Sequence, residues 1–175
     1  MTALAFRPAT VADVPTLHAL IESAYRGETA KAGWTHEADL LGGTRTSAEE
    51  LQAIIGDADQ VLLLGEDADA LAACVRVARQ AEGPAYLGML TVAPDRQAGG
   101  LGRAVLAAAE AEAVRRFGAS RMEMTVISTR SELIAWYERR GYVLTGERRP
   151  FPAEAQDFGD LPPRDLEFVV LEKPL

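Results

Sequence analysis

Two spacings of apolar residues alternate along the chain, and they predict its elements. A short strand is predicted at Leu4–Arg7. Thr10 and Asp13 follow at capping-box spacing, with Asp in place of the usual Glu or Gln. Val14, Leu17, Ile21 and Tyr25 then recur at helical intervals. Gly27–Gly43 has no period and reads as irregular. Ser47 and Glu50 form a second capping box before a short helix carrying Leu51, Ile54 and Ile55, which ends near Gly56. Val61–Leu64 is an apolar run, Glu66–Asp69 a turn, and Leu71, Ala73, Val75 and Val77 alternate in the manner of a half-buried strand. Gly83–Pro84 interrupts the chain before a strand at Tyr86–Val92, so these strands predict an antiparallel meander.

After Pro94 the period lengthens again. Val105, Leu106, Ala109, Ala113 and Phe117 define a helix that opens behind Gly99, Gly100 and Gly102 and stops at Gly118. Arg121–Ile127 is a strand, parallel to the preceding one because a helix carries the crossover. Thr129 and Glu132 are placed to cap a helix running to Arg140, halted by Gly141. Strands at Tyr142–Arg148 and Leu166–Leu171 flank a Pro-rich loop, Pro150–Pro163, which reads as a lid or spacer and not as a boundary. The order β-α-α-β-β-β-α-β-α-β-β predicts one α/β domain over residues 1–175, a mixed sheet flanked by helices.

Composition narrows the class. At 175 residues, 48% apolar and 25% charged, the chain is an ordinary globular one. It contains no apolar run of about 18 residues, so no membrane span is expected. The start, Met1–Pro8, lacks the basic-then-apolar pattern of a secretory signal. The single cysteine, Cys74, excludes an internal disulfide and fits a reducing cytoplasm; on a strand it reads as a small buried hydrophobe. Two histidines and one cysteine are too few for a His/Cys zinc site; that count leaves carboxylate sites open, and no metal is expected. The net charge of −8 argues against a nucleic-acid partner, but it is unevenly spread. Residues 96–149 sum to +4 and the remainder to −12. The basic stretch fits either a bound anion or solvated helix faces.

The chemistry begins at Val92-Ala93-Pro94-Asp95-Arg96-Gln97-Ala98-Gly99-Gly100-Leu101-Gly102-Arg103. A strand ends, glycines turn, and a helix starts, leaving unsatisfied N–H groups that attract an anion. Arg96 or Arg103 can add charge-assisted bonds. A glycine turn with no ligand is the plain alternative. A dinucleotide fingerprint is incomplete, since Val105 stands where its third glycine belongs, and the Gly-Lys-Ser/Thr of a P-loop is absent.

Gln97-x-x-Gly100-x-Gly102 resembles the signature of the GNAT superfamily of acyl-CoA N-acyltransferases. The preceding strand Leu87–Val92, the Val92-x-Pro94 step, and Tyr137-x-x-x-Gly141-Tyr142 at the family's usual separation extend the resemblance over nearly the whole chain. It implies a mostly antiparallel sheet splayed in its middle, and acetyl-CoA as co-substrate. The backbone of Leu90, Thr91 and Val92 would pair with the pantetheine arm and polarise the thioester. Gln97, Ala98, Gly99, Gly100, Leu101, Gly102 and Arg103 would cradle the pyrophosphate.

Tyr137 occupies the family's position for the acid that protonates the departing thiolate, and a phenol with an ordinary pKa near 10 can donate at neutral pH. Spacing alone favours a core aromatic beside Leu133, and it is the resemblance that turns the reading toward an acid. Seven residues earlier many relatives carry Asn; here Arg130 stands, and it is expected to reach a cofactor phosphate or a substrate carboxylate. The resemblance places the acceptor pocket at Trp34–Asp39 and Arg45. Trp34 would be its aromatic wall, and Glu37 an ammonium ligand or base; a surface loop is the alternative. His36, Glu123 and water are the other bases considered, and His18 reads as an ordinary helix residue.

Thr145-Gly146-Glu147 and Arg149-Pro150-Phe151-Pro152, together with residues 33–38, resemble a bacterial subgroup of the family, in which the Pro150–Pro152 loop would close over the acceptor. The resemblance implies an N-acetyltransferase acting by direct attack of a small-molecule or peptide amine. The −12 outside residues 96–149 favours a cationic amine. A non-catalytic acyl-CoA sensor of the same fold competes with this. A Rossmann nucleotide domain does so weakly, because its glycine turn belongs after an early strand. Oligomeric state is open, homodimers being the common symmetric case.

Overall fold

A computed structural model describes residues 3–68 and 70–175. The predicted turn at Glu66–Asp69 falls partly on Asp69, which lies outside the described residues, as do Met1 and Thr2. Seven strands form one sheet: β1 (Ala5–Pro8), β2 (Gln60–Glu66), β3 (Leu71–Ala78), β4 (Ala85–Val92), β5 (Arg121–Ile127), β6 (Val143–Pro150) and β7 (Glu167–Pro174). The spatial order is β1-β2-β3-β4-β5-β7-β6. Every described pairing is antiparallel except β4–β5.

The helices are α1 (Val14–Tyr25), α2 (Gly27–Ala30), α3 (Ala48–Gly56), α4 (Leu101–Phe117) and α5 (Ser131–Glu138). Alternation on the strands separates two cores. Val61, Leu63, Ala73, Val75 and Val77 face α4 and α5. Leu62, Leu64 and Cys74 face α1 and α3. Both faces of β2 and β3 are covered, which suits the apolar run at Val61–Leu64 but corrects the half-buried strand expected from Leu71, Ala73, Val75 and Val77.

Local chemistry sets the helix ends. The Thr10 amide donates to the Asp13 carboxylate at 2.7 Å in the turn before α1, and Pro15 stands in the first turn of α1. The Ser47 hydroxyl accepts from the Glu50 amide at 3.1 Å. Glu50 does not complete that box; its carboxylate accepts from the Thr46 hydroxyl instead. Helix α4 ends at Gly118, in the left-handed region at φ 63, where Ala119 N donates to Ala113 O at 3.2 Å and Gly118 N to Val114 O at 2.9 Å.

Three further expectations are corrected. Gly27–Gly43 is not wholly irregular, since α2 makes one turn there. Helix α5 has Arg130 as its N-cap with no side-chain cap bond, so Thr129 does not cap it, and it ends at Glu138, not Arg140. The last two strands lie later than expected, at Val143–Pro150 and Glu167–Pro174, and β7 sits between β5 and β6.

One irregularity positions everything that follows. Cys74 pairs with Thr91 but Arg76 pairs with Gly88, so Met89 and Leu90 together oppose Val75. Met89 has φ 51, unusual for a side chain of its size. This bulge twists β4 away from β5. The two strands pair only at Ala85–Met122 and Tyr86–Glu123, and beyond Tyr86 they part.

Candidate active site

The cleft between the parted strands holds two cavities. The larger, about 470 Å³, is lined by Tyr25, Arg26, Glu37, Arg45, Glu50, Tyr86–Leu90, Met124–Ile127, Arg130, Tyr137, Phe151 and Phe168, among others. The smaller, about 260 Å³, runs along Leu90–Val92, Gln97, Ala98, Gly100, Gly102 and Arg103 to Trp34, Trp136 and Arg140. Tyr25, Leu90, Arg130, Leu133 and Tyr137 line both, so the two spaces meet at these side chains.

The smaller cavity ends at the start of α4. Gly100, at φ 81, caps this 17-residue helix without a side-chain bond, and Ala98 is also left-handed at φ 67. The amides of residues 97–103 donate to no described group. Consecutive N–H groups in such a turn, backed by the helix dipole, form an anion cradle.

Cations gather beside it. Arg103 is exposed and has no partner among the described residues. Arg140 lies over the Trp136 ring at 3.5 Å and donates to the Trp136 carbonyl at 2.7 Å, while its buried Nε has no acceptor. Burial, with Arg103 and Arg139 nearby, pushes the Arg140 pKa down, the signature of a cation short of a counter-charge. Arg96 is not part of this group, because it pairs with Asp67.

At the junction, burial pushes the Tyr137 phenol above its ordinary pKa, with Arg130 opposing. Its hydroxyl makes no hydrogen bond to a described residue. Tyr25, pushed up to about 12 by burial, donates from Oη to the Leu90 carbonyl at 2.9 Å. Gln97 Nε2 donates to the Val92 carbonyl at 3.1 Å. These two carbonyls therefore point away from β3 and into the cleft, as strand alternation requires for the amides of the same residues.

Other expected residues take places the sequence did not reveal. Gln97 turns from the cradle toward the loop after α2, accepting from Thr35 N at 3.4 Å and packing on Gly33, where a Cβ would overlap its amide. Gly102 gives Trp136 its room: a Cβ there would stand 3.2 Å from the indole. Arg130 donates to Thr35 Oγ1 at 2.5 Å and to Glu37 Oε1 at 3.4 Å. Glu37, largely buried, also accepts from Arg26 Nη2 at 3.2 Å. Trp34 lines the smaller cavity and stands 6.4 Å from Trp136; it does not line the larger one with Glu37 and Arg45.

His36 lies at a third hollow, and its Nδ1 accepts from Ala38 N. Glu123 is buried against Arg149 and Gln80 and lines neither cavity. Nothing in the sequence marks Tyr25 and Arg26 as site residues, because Tyr25 continues the apolar stripe of α1 and Arg26 follows as one charge at its end. Among the described residues no cluster of His, Cys, Asp or Glu is placed to hold a metal, and no helix is long and apolar enough to cross a membrane.

The family model described as Acetyltransferase (GNAT) family matches residues 19–142. Solved structures resemble the whole chain. The ribosomal-protein-alanine N-acetyltransferase of Brucella melitensis superposes with a TM-score of 0.71 at 22% identity, over 98% of this chain and 100% of that one. An acetyltransferase of the GNAT family from Streptococcus pneumoniae gives 0.70 at 18%, over 98% and 99%. A GNAT family acetyltransferase from Elizabethkingia anophelis, with acetyl-CoA bound, gives 0.67 at 14%, over 100% of both chains. At these identities the likeness establishes the fold. No curated protein matches in sequence.

Proposed function

The chain belongs to the GNAT acetyltransferase family, and from that premise we propose that it is an N-acetyltransferase, a single domain that moves an acetyl group from acetyl-CoA to a primary amine by direct attack. The observation that carries this is the unpartnered cradle at residues 97–103 with Arg103 and Arg140, opening into a cavity that meets a second one at Tyr137. The cradle and its arginines suit a pyrophosphate. The edge of β4 at Leu90–Val92 suits a pantetheine arm laid beside it in place of the missing β5 partner.

In this reading the amine enters through the larger cavity. The amine nitrogen attacks the thioester carbon, and a cleft-facing amide of β4 holds the oxyanion. The C–S bond then breaks, and the Tyr137 hydroxyl gives its proton to the sulfur. Glu37 accepts a hydrogen bond from the amine through lone pairs its two arginines leave free, and the amine's surplus proton leaves through water. The buried free thiol of Cys74 supports a reducing cytoplasm as the site of action.

Thiol release from acetyl-CoA in the presence of pooled amines tests the proposal. Release that depends on one pool is the expected result. Tight acetyl-CoA binding with no release from any pool would favour a sensor instead. A second expected result concerns the cradle. Arg103→Ala combined with Arg140→Gln raises the Kd for CoA by about 10–100-fold, from lost charge-assisted bonds. The exposed share of that loss shrinks as salt is raised. Calorimetric titration at two ionic strengths measures both.

A further inference from the structure

Three arginines and two glutamates line the larger cavity, and Glu37 and Glu50 both favour the Arg45 cation from beyond ion-pair distance. Arg26 and Arg130 share Glu37. Glu50 accepts from Thr46 Oγ1 at 2.6 Å. The Arg45 guanidinium forms no hydrogen bond to a described residue, and none of their carboxylates lies within the 4.0 Å of an ion pair.

Its backbone is nonetheless firmly held. Glu22 Oε1 accepts from Arg45 N at 2.7 Å and from Thr46 N at 2.9 Å. His18 Nε2 donates to the Thr46 carbonyl at 3.2 Å. Arg26 Nη1 donates to the Gly42 carbonyl at 2.6 Å and to the Thr44 carbonyl at 3.4 Å. The guanidinium itself lies 5.1 Å from the centre of the Tyr25 ring, whose hydroxyl holds Leu90. The chain thus fixes a cation in the cavity wall and leaves its donors unused.

The remaining wall sets an apolar side, with Leu87, Met124, Val126, Phe151 and Phe168, against hydroxyls such as those of Ser47 and Thr125. Phe151 and Phe168 stack with centroids 4.9 Å apart. We infer that the acceptor is an amino carboxylate with an apolar side group, of the kind an apolar amino acid presents. Arg45 holds its carboxylate, and its amine faces the junction at Leu90 and Tyr137. The inference rests on the acetyltransferase reading above and names its substrate class. A guanidinium fork matches one planar carboxylate, whereas a phosphate dianion calls for more charged donors than the one guanidinium left without a hydrogen bond supplies. The volume lies within the usual range of about 300–1,000 Å³ for small-molecule sites. The local charge thus points away from the cationic amine that the overall acidity favours.

The test is a matched panel: leucine and phenylalanine, their carboxamides, their decarboxylated amines, and O-phosphoethanolamine, assayed by thiol release from acetyl-CoA. Wild-type protein is expected to prefer the acids over both neutral series by about 10–100-fold in kcat/KM. Arg45→Gln is expected to collapse that ratio toward one by raising KM for the acids, with KM for acetyl-CoA unchanged. Arg45→Lys is expected to restore part of it. Equal wild-type use of acid, amide and amine overturns the inference, as does a ratio that survives Arg45→Gln or a preference for the phosphate. Lack of turnover across the panel with CoA binding intact also overturns it. Failure to bind CoA at all overturns the preceding reading instead.

Discussion

Tyr137→Phe is expected to lower kcat by about 10²–10⁴-fold, the usual contribution of a positioned general acid. KM for acetyl-CoA is expected to change little, because the substitution removes one oxygen and keeps the ring that packs on Trp136 and Tyr142. The diagnostic experiment uses an activated thioester whose thiolate leaves without a proton. That substrate recovers most of the loss if Tyr137 serves the leaving group, and recovers none if the ring is merely structural.

The pH profile has a definite sign. The amine must be neutral to attack, so the rate climbs as pH rises toward the amine's pKa. The acid must stay protonated, and burial lifts the Tyr137 pKa above its ordinary value near 10. The alkaline fall in kcat is therefore displaced above about pH 10. A variant within twofold of wild type at neutral pH, or an alkaline fall well below that point, removes Tyr137 from the chemistry.

Glu37→Gln is expected to carry the largest stability loss in the site, about 3–5 kcal/mol, because it leaves two largely buried guanidiniums without their shared counter-charge. For a chain of this length that corresponds to a fall in Tm of roughly 6–20 °C. Calorimetry or chemical denaturation reads it. Pairing the change with Arg26→Met is expected to return part of the loss, since removing both members of a buried pair is far less damaging than removing one. A loss below about 1 kcal/mol, the range of exposed pairs, would show that solvent screens this cluster.

The parts of the site that depend on local sequence were legible. Gly99, Gly100 and Gly102 after an apolar strand announce a turn into a helix, and the cradle is built there. The parting of β4 from β5 was legible only through family resemblance, because its local cause is Met89 at φ 51, and methionine gives no sign of a left-handed backbone. Long side chains were harder still. Gln97, expected at the cofactor, and Arg130, expected at a cofactor phosphate or a substrate carboxylate, both line the smaller cavity and also reach back to the loop at residues 33–37, contacts that span the fold. Trp34 was expected beside Glu37, but its ring lies on the other side of the junction, near Trp136. The summed acidity of the chain averages over the whole surface, while a ligand in the larger cavity meets three arginines and two glutamates.

The two residue pairs between β4 and β5 are all the main-chain ladder that joins strands β1–β4 to β5, β7 and β6. The sheet is in effect two plates on a short hinge, with side chains bridging the gap. A molecule lying between the plates would stiffen the protein as a strut does. Its binding would then appear as resistance to heat, about 2.7 kcal/mol when the free ligand stands at 100 times its Kd. If that molecule is the proposed acyl donor, the protein would be sturdiest in a cell when the donor is plentiful and would loosen as the supply falls, so that its lifetime would follow the cell's metabolic state.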